Sequence, residues 1–466
     1  MKLDAEITAF ELDDRRADSR PVAPTRAEAL RYWLKLGFVS FGGPAGQIAI
    51  MHHDLVDGKR WISERRFLHA LNYCMVLPGP EAQQLATYIG WLMHRTWGGI
   101  MAGGLFVLPS LVILIALTWL YMAYGDVPAV AGILYGIKPG VVAIVLHAAW
   151  RIGNRALKRP TLWAIAAAAF VAIFAFSLPF PAIVVAAGAI GFVGSRIAPR
   201  EFVIGAAHDA KEGAHATAVI DDDTPTPAHA RFSWARLALV VGTSLALWVA
   251  AIGFLVAQFG AASTLPQMGW FFTKAALLTF GGAYAVLPYV YQGAVEGYAW
   301  LTPVQMIDGL ALGETTPGPL IMVVAFVGFV GAWAKGLFGV ESLAIAGMAG
   351  ACVATFFTFL PSFAFILAGG PLVESTHGQL RFTAPLSAIT AAVVGVIVNL
   401  ALFFAWHVFW PLGWDAGRAL RGIDVTGLTI GMAAGIALFR FKAGVIPVIL
   451  ACGAAGLVAR LVVPVS

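Results

Sequence analysis

Much of this chain is written twice. Ser40-Phe41-Gly42-Gly43-Pro44, followed by Leu77-Pro78-Gly79-Pro80-Glu81, returns as Thr279-Phe280-Gly281-Gly282 and Thr316-Pro317-Gly318-Pro319. Adding 239 to a residue number converts one copy into the other without a gap. Lys35 then falls on Lys274, Val56 on Val295, Gly58 on Gly297, Trp61 on Trp300 and Leu71 on Leu310. A later block continues at a shift of 252, pairing Leu108-Pro109-Ser110 with Leu360-Pro361-Ser362 and Val141-Val142 with Val393-Val394. Chance similarity between apolar stretches would match Leu and Ala, not Lys, Trp, Gly and Pro at fixed spacing. Gly/Pro pairs that interrupt apolar segments at corresponding places of two copies point to a transport site.

Composition places those copies in a bilayer. Of 466 residues, 59% are hydrophobic and only 12% charged, and the mean hydropathy is +0.81. Apolar runs of about 18 to 25 residues recur along the chain, the signature of membrane-spanning helices. The net charge of +5 does not imply a nucleic-acid partner, because Lys and Arg gather in short loops between spans. Cys74, Cys352 and Cys452 lie in apolar segments without metal or redox spacing and read as packing residues. No Walker-type glycine loop is present, so the chain carries no sequence sign of ATP-driven transport.

The expected architecture is an all-α polytopic membrane protein. Residues 1–29 read as a flexible cytoplasmic tail with no signal-peptide core, 30–197 as the first transporter repeat and 198–235 as a loosely packed polar cytoplasmic linker. Residues 236–262 hold one connector span, and 263–466 the second repeat. Each repeat has six apolar segments, beginning at 33–51 and 71–93 in the first and at 269–291 and 306–331 in the second. Six segments return the chain to its starting side, and one more crossing inserts the second copy upside down. Parity thus predicts inverted repeats.

Loop charges agree. The loop after the first motif carries Lys59, Arg60, Arg65 and Arg66, whereas its counterpart, 291–305, carries no Lys or Arg. Equivalent loops with opposite charge face opposite sides. The basic loop stays with the cytoplasmic tail only if 33–51 enters and leaves on one side, so the motif segments read as re-entrant or broken helices. Such backbone is tolerated at membrane depth only inside protein or along a wet cavity.

Gly-Gly-Pro and Pro-Gly-Pro cannot continue a regular helix. One such break reads as a packing kink; four in matched register read as a site. Each break presents the N–H groups and positive dipole end of the following half-helix, which suits an anion. The hydroxyls of Ser40, Thr279, Thr315 and Thr316 can add donors, and Lys35 and Lys274 full charge, although Lys35 can equally be an interfacial anchor, whereas Lys274 sits deeper in its apolar segment and reads more as a site residue. Glu81, Glu314 and Lys138 are candidates for proton coupling or counter-charge, or for structural ion pairs. Gln83, Gln84 and Thr87 continue a polar stripe from Glu81 at helical spacing. His52-His53-Asp54 with His69 lacks ligand spacing, and neither a metal nor a cofactor is expected.

At these motifs the sequence resembles the chromate ion transporter family in its long, two-domain form. The resemblance rests on Phe41 through Ala49, on Trp61-Ile62-Ser63-Glu64, and on Leu77 through Gly90 with its Pro-Gly-Pro-Glu-Ala-Gln-Gln-Leu-Ala-Thr-Tyr-Ile run. In the second copy it rests on Thr279 through Tyr284 and Thr316 through Leu320, and it covers roughly residues 30–460. It implies a carrier of the bacterial inner membrane, with a cytoplasmic N-terminus, that exports chromate, confers resistance and is energised by the proton-motive force or membrane potential. Sulfate, an isosteric dianion, is the alternative substrate, and a homodimer the candidate assembly. The substrate-binding set is then Lys35, Ser40, Phe41, Gly42, Gly43, Pro44, Gln47, Pro78, Gly79, Pro80, Gln84, Lys274, Thr279, Phe280, Gly281, Gly282, Thr315, Thr316, Pro317, Gly318 and Pro319. A membrane-embedded enzyme would need a cofactor motif or catalytic cluster, and none is evident.

Overall fold

The computed structural model describes residues 21–41, 43–202, 217–222, 224–225, 227–280, 282–376, 383–411 and 422–462. Most of the expected tail 1–29, much of the linker 198–235, and both Gly42 and Gly281 lie outside the described residues. The described chain is all helical. Its first part holds α1 (Arg26–Val39), α2 (Gly43–His52), α3 (Glu64–Val76), α4 (Glu81–Tyr124), α5 (Pro128–Ala156), α6 (Pro160–Phe176) and α7 (Phe180–Ile197). After α8 (Trp234–Phe259) come α9 (Thr264–Leu277), α10 (Ala283–Tyr291), α11 (Pro303–Thr315) and α12 (Val323–Ala334). Helices α13 (Leu343–Thr376), α14 (Thr383–Phe409), α15 (Val425–Phe439) and α16 (Val445–Val462) complete it.

Local chemistry repeats at the shift of 239. The side chains of Ser63 and Thr302 cap α3 and α11 by accepting from the amides of Arg66 and Gln305. A π-turn follows α2 at His53–Gly58 and α10 at Gln292–Gly297. Arg60 and Ala299 behind those turns take left-handed φ of 50° and 47°. The apolar segments 33–51, 71–93, 269–291 and 306–331 are each two short helices separated by a break.

The short helices pair into four hairpins. Arg66 in α3 and Tyr88 in α4 both bond Glu374 near the end of α13, at 3.0 and 2.5 Å. Gly79, between them in sequence, stands instead beside Ser362, twelve residues or about 18 Å away along α13. The chain therefore runs inward along α3, turns at Pro78-Gly79-Pro80 and comes back along the start of α4. At His94 and Arg95 the backbone of α4 leaves helical geometry and reverses, so that Gly90 meets Gly98 and Ala102. In the second half Gly313 meets Val323 and Gly309 meets Phe326 across the break between α11 and α12. Phe271 of α9 likewise stacks on Tyr289 of α10, with ring centroids 5.0 Å apart.

The two halves interlock. Helix α5 packs on α15 and α16, while α14 packs on α6 and α7. Small residues set these approaches: Gly136 lies against the Cys452 carbonyl and Gly456, and Gly395 against the Ala166 carbonyl. Among the described residues, seven helices are long and apolar enough to cross a membrane. Helix α8 leaves Leu239, Leu247 and Phe254 more than half exposed, a face for lipid.

Two expectations change. The described part of the linker is docked, not loose: Val219 and Ile220 donate to the carbonyls of Arg60 and Trp61, and Ser63 donates back to Ile220. Asp222 accepts from the Ser63 hydroxyl at 2.7 Å. Polar composition hid this because the strap is held through backbone pairing and the buried Ala218 and Ile220. Cys352, read as a packing residue, is exposed, whereas Cys74 and Cys452 are buried.

Candidate functional site

The four hairpin tips converge, and they bond across the two halves. The Gly79 amide donates to the Thr279 carbonyl at 2.8 Å, and the Gly318 amide donates to the Ser40 carbonyl at the same distance. Donors and acceptors in this pair of bonds are exchanged by the shift of 239. Gly79 and Gly318 have φ of 128° and 105°, a region that favours glycine. Each faces a serine at close range: a methyl at Gly79 would lie 2.5 Å from the Ser362 Oγ, and one at Gly318 2.7 Å from the Ser110 Cβ. Ser110 and Ser362 are themselves the pair related by 252.

Gln47, buried one turn into α2, ties two tips together. Its Nε2 donates to the Gly318 carbonyl at 2.5 Å and to the Ser40 carbonyl at 3.3 Å. Gln84 folds back on its own tip, its Nε2 donating to the Pro78 carbonyl at 2.8 Å. Around these bonds the buried Ser40 Oγ, Gln47 Oε1, Gln83 Oε1, Gln84 Oε1 and Ser362 Oγ have no hydrogen-bond partner among the described residues. So many unpaired polar atoms in an otherwise apolar protein make the junction a polar interior. The hydroxyls of Thr279, Thr315 and Thr316 instead donate to carbonyls of their own helices, Ala275, Ala311 and Leu312. Among the described residues the Ser40 hydroxyl makes no such bond.

Pro44 follows Gly43 in the first turn of α2, Pro80 precedes α4, and Pro319 caps the turn that leads into α12. Phe41 and Phe280 close their turns by donating to the carbonyls of Val39 and Leu278. Pro78 and Pro317 occupy matching places in the second and fourth tips, and Gly282, with φ of 100°, leads into α10.

Charges are arranged differently from the expectation. Lys35 and Lys274 are exposed, and Lys274 Nζ sits 5.9 Å over the Trp270 ring on the outer face of α9. Their matched places before the motif did not reveal that α1 and α9 turn those side chains away from the tips. The cations beside the tips are Arg151 and Arg155 of α5. Arg151 comes within 4.0 Å of a methyl position on Gly43 and within electrostatic reach of Glu314 and Tyr284. Arg155 stands within reach of Glu81. Glu314 accepts a short hydrogen bond from the Tyr284 hydroxyl. Lys138 belongs to a separate cluster, its Nζ 3.6 Å from Asp308, which also accepts from the Tyr121 hydroxyl at 3.0 Å.

Sequence reasoning missed Arg151 and Arg155 because the apolar pattern stops at 150, making both read as loop charges. The helix in fact continues to Ala156. Asp308 and Tyr284 gave no signal, since neither is repeated in the first copy, where His69 and Ala45 stand. His52 pairs with Glu64 and lies 3.5 Å from Asp57. Among the described residues no group of three or more His, Cys, Asp or Glu side chains is gathered for a metal.

The sequence pattern of the family described as "Chromate transporter" matches residues 27–192 and 266–457. The chain is 33% identical to a chromate transport protein of Pseudomonas aeruginosa over 453 residues, covering 95% of this chain and 94% of that protein. It is 30% identical to a chromate transport protein of Cupriavidus metallidurans over 397 residues, covering 84% and 86%. No solved structure matches the chain. Two matched regions that coincide with the two copies, and relatives similar along nearly their whole length, place this multi-pass membrane protein: the chain belongs to the chromate transporter family.

Proposed function

We propose that this protein exports the chromate dianion across the inner membrane through the junction of the four hairpin tips. The carrying observation is the reciprocal pair of bonds, Gly79 to Thr279 and Gly318 to Ser40. An exchange of partners between two copies supports a pseudo-two-fold axis through the junction, and inverted repeats place such an axis in the membrane plane. In this reading the hairpins are re-entrant: two enter from the cytoplasm, at 26–52 and 64–93, and two from outside. The basic loop 59–66 and its uncharged counterpart 291–305 support it. Arg151 and Arg155 then lie toward the cytoplasmic mouth, together with Arg440 and Lys442.

Chromate as the substrate is supported by the names of the relatives and by the chemistry of the junction. Half-helix N-termini, two arginines and the buried Ser40 and Ser362 hydroxyls suit a tetrahedral oxyanion. Outward movement is favourable, because each charge is worth about 2.3 kcal/mol per 100 mV and a dianion leaving a negative interior gains about twice that.

The test is uptake of labelled chromate into inverted membrane vesicles, with and without an imposed membrane potential and with sulfate as competitor. Energised accumulation is expected. Accumulation in right-side-out vesicles instead would reverse the direction.

A further inference from the structure

We propose that the junction holds two stations for the transported oxyanion, an inner one where Ser362 faces Gly79 and an outer one where Ser110 faces Gly318. The proposal rests on the transport reading above and names the side chains that take the ion at each stage.

The repeated Leu-Pro-Ser carries the argument. Ser362 of α13 stands against the tip of a hairpin from the first half, and Ser110 of α4 against one from the second. The tip glycines are related by 239 and the serines by 252, yet both registers meet in one crossed pair of contacts. Each serine is only 1% exposed. A buried helical hydroxyl ordinarily spends its proton on the carbonyl one turn back, as Thr358 does on Ala354 at 2.7 Å, one turn before Ser362. The Ser362 hydroxyl makes no hydrogen bond among the described residues. Gln84 and Gln47, beside the two tips, have their amide nitrogens committed to the carbonyls of Pro78, Ser40 and Gly318. The donors at hand are therefore hydroxyls: Ser362 at the inner tip, and Ser110 at the outer tip with Ser40, whose carbonyl already holds Gly318.

The stations lie at different depths. Helices α4 and α13 run antiparallel, with Gly99 against Leu367 and Gly103 against Phe363. The same register carries Ser110 to the level of Phe356, six residues from Ser362, or about 9 Å along the helix. Glu374, bonded by Arg66 at the base of the second hairpin, marks the cytoplasmic end of α13 in the proposed insertion, so Ser362 is the inner of the two. A deprotonated tetrahedral oxyanion only accepts hydrogen bonds, and each station meets it with hydroxyl protons. These donors are neutral, so the ion keeps the double charge on which the outward drive depends.

The test is the half-saturating concentration of labelled chromate at each face, read from initial uptake into inverted and right-side-out vesicles preloaded with unlabelled chromate. Ser362→Ala should raise it about tenfold or more at the cytoplasmic face, the loss of one hydrogen bond to a charged oxygen, and leave the outer face near wild type. Ser110→Ala should do the reverse. Ser362→Cys and Ser110→Cys, similar in size but weaker donors, should be intermediate. Purified ligand-free Ser362→Ala should unfold at no lower temperature than wild type, because it removes an unpaired hydroxyl; marked destabilisation would assign Ser362 to packing. Equal shifts at both faces would mean one shared site, and wild-type values in either variant would remove its station. Each of these results overturns the inference and leaves chromate transport standing. Interchanged faces would overturn the order of the stations and the insertion beneath it. No uptake by wild type at either face would instead overturn the transport reading.

Discussion

Gly79 in the first half of the chain donates its amide to the carbonyl of Thr279 in the second, at 2.8 Å. Its counterpart, Gly318, does the same to Ser40, so the tips are held by backbone and depend on glycine. Gly79→Ala or Gly318→Ala should add about 1–3 kcal/mol of backbone strain and drive a methyl into Ser362 or Ser110. We expect chromate transport to be lost in either variant. Gly104→Ala, where a methyl meets open space, should transport normally; equal loss in all three would detach the effect from the tips.

Arg66 and Glu374 form a largely buried pair, 15% and 7% exposed, that fixes the base of the second hairpin to α13. Arg66→Met strands the carboxylate and should cost about 3–5 kcal/mol. The double variant Arg66→Met/Glu374→Gln should recover much of that loss. Thermal unfolding of purified protein reads both, and a double variant no more stable than the single one would count against the pair.

Asp57 and Glu296 are related by 239 and both are exposed. In a background with Cys352→Ser, cysteines placed there should react with a membrane-impermeant maleimide from opposite sides of the membrane. Labelling from the same side would reject inverted insertion.

The docked linker carries a pH dependence of its own. Burial holds the His229 imidazole below its ordinary value, against the opposing bond that its Nε2 donates to the Trp91 carbonyl. A base with a lowered value in the docked state supports docking above its undocked value and loses that support as pH falls through it. Amide exchange at Val219 and Ile220, corrected for intrinsic rate, should therefore rise when pH drops from about 8 to about 5.5. An unchanged corrected rate would remove His229 from the strap.

What the sequence disclosed was whatever the repeat writes twice. Ser40 and Thr279, the Gly-Gly breaks and both Pro-Gly-Pro turns were legible because matched glycine and proline have few uses inside apolar segments. Gln47 came with the motif around it, and its role as a bridge to Gly318 needed the fold. Features that occur once were harder. Arg151 and Arg155 sit past the end of the apolar pattern, and their approach to Gly43 depends on how α5 packs on the other half. Lys35 and Lys274 misled because a matched charge need not face the matched break: on α1 and α9 the rotation set by Trp33, Leu36, Phe271 and Phe272, all buried, turns both lysines outward. The linker illustrates a third limit, since backbone pairing at Ile220 has no compositional signature.

The most direct test of the account is chromate counterflow in proteoliposomes holding only this protein. Loaded with unlabelled chromate and diluted into a trace of labelled chromate, the vesicles should accumulate label transiently above its external concentration, with Gly318→Ala vesicles showing none. Simple equilibration of label without overshoot would indicate a pore, and no entry of label would contradict chromate transport through the four tips.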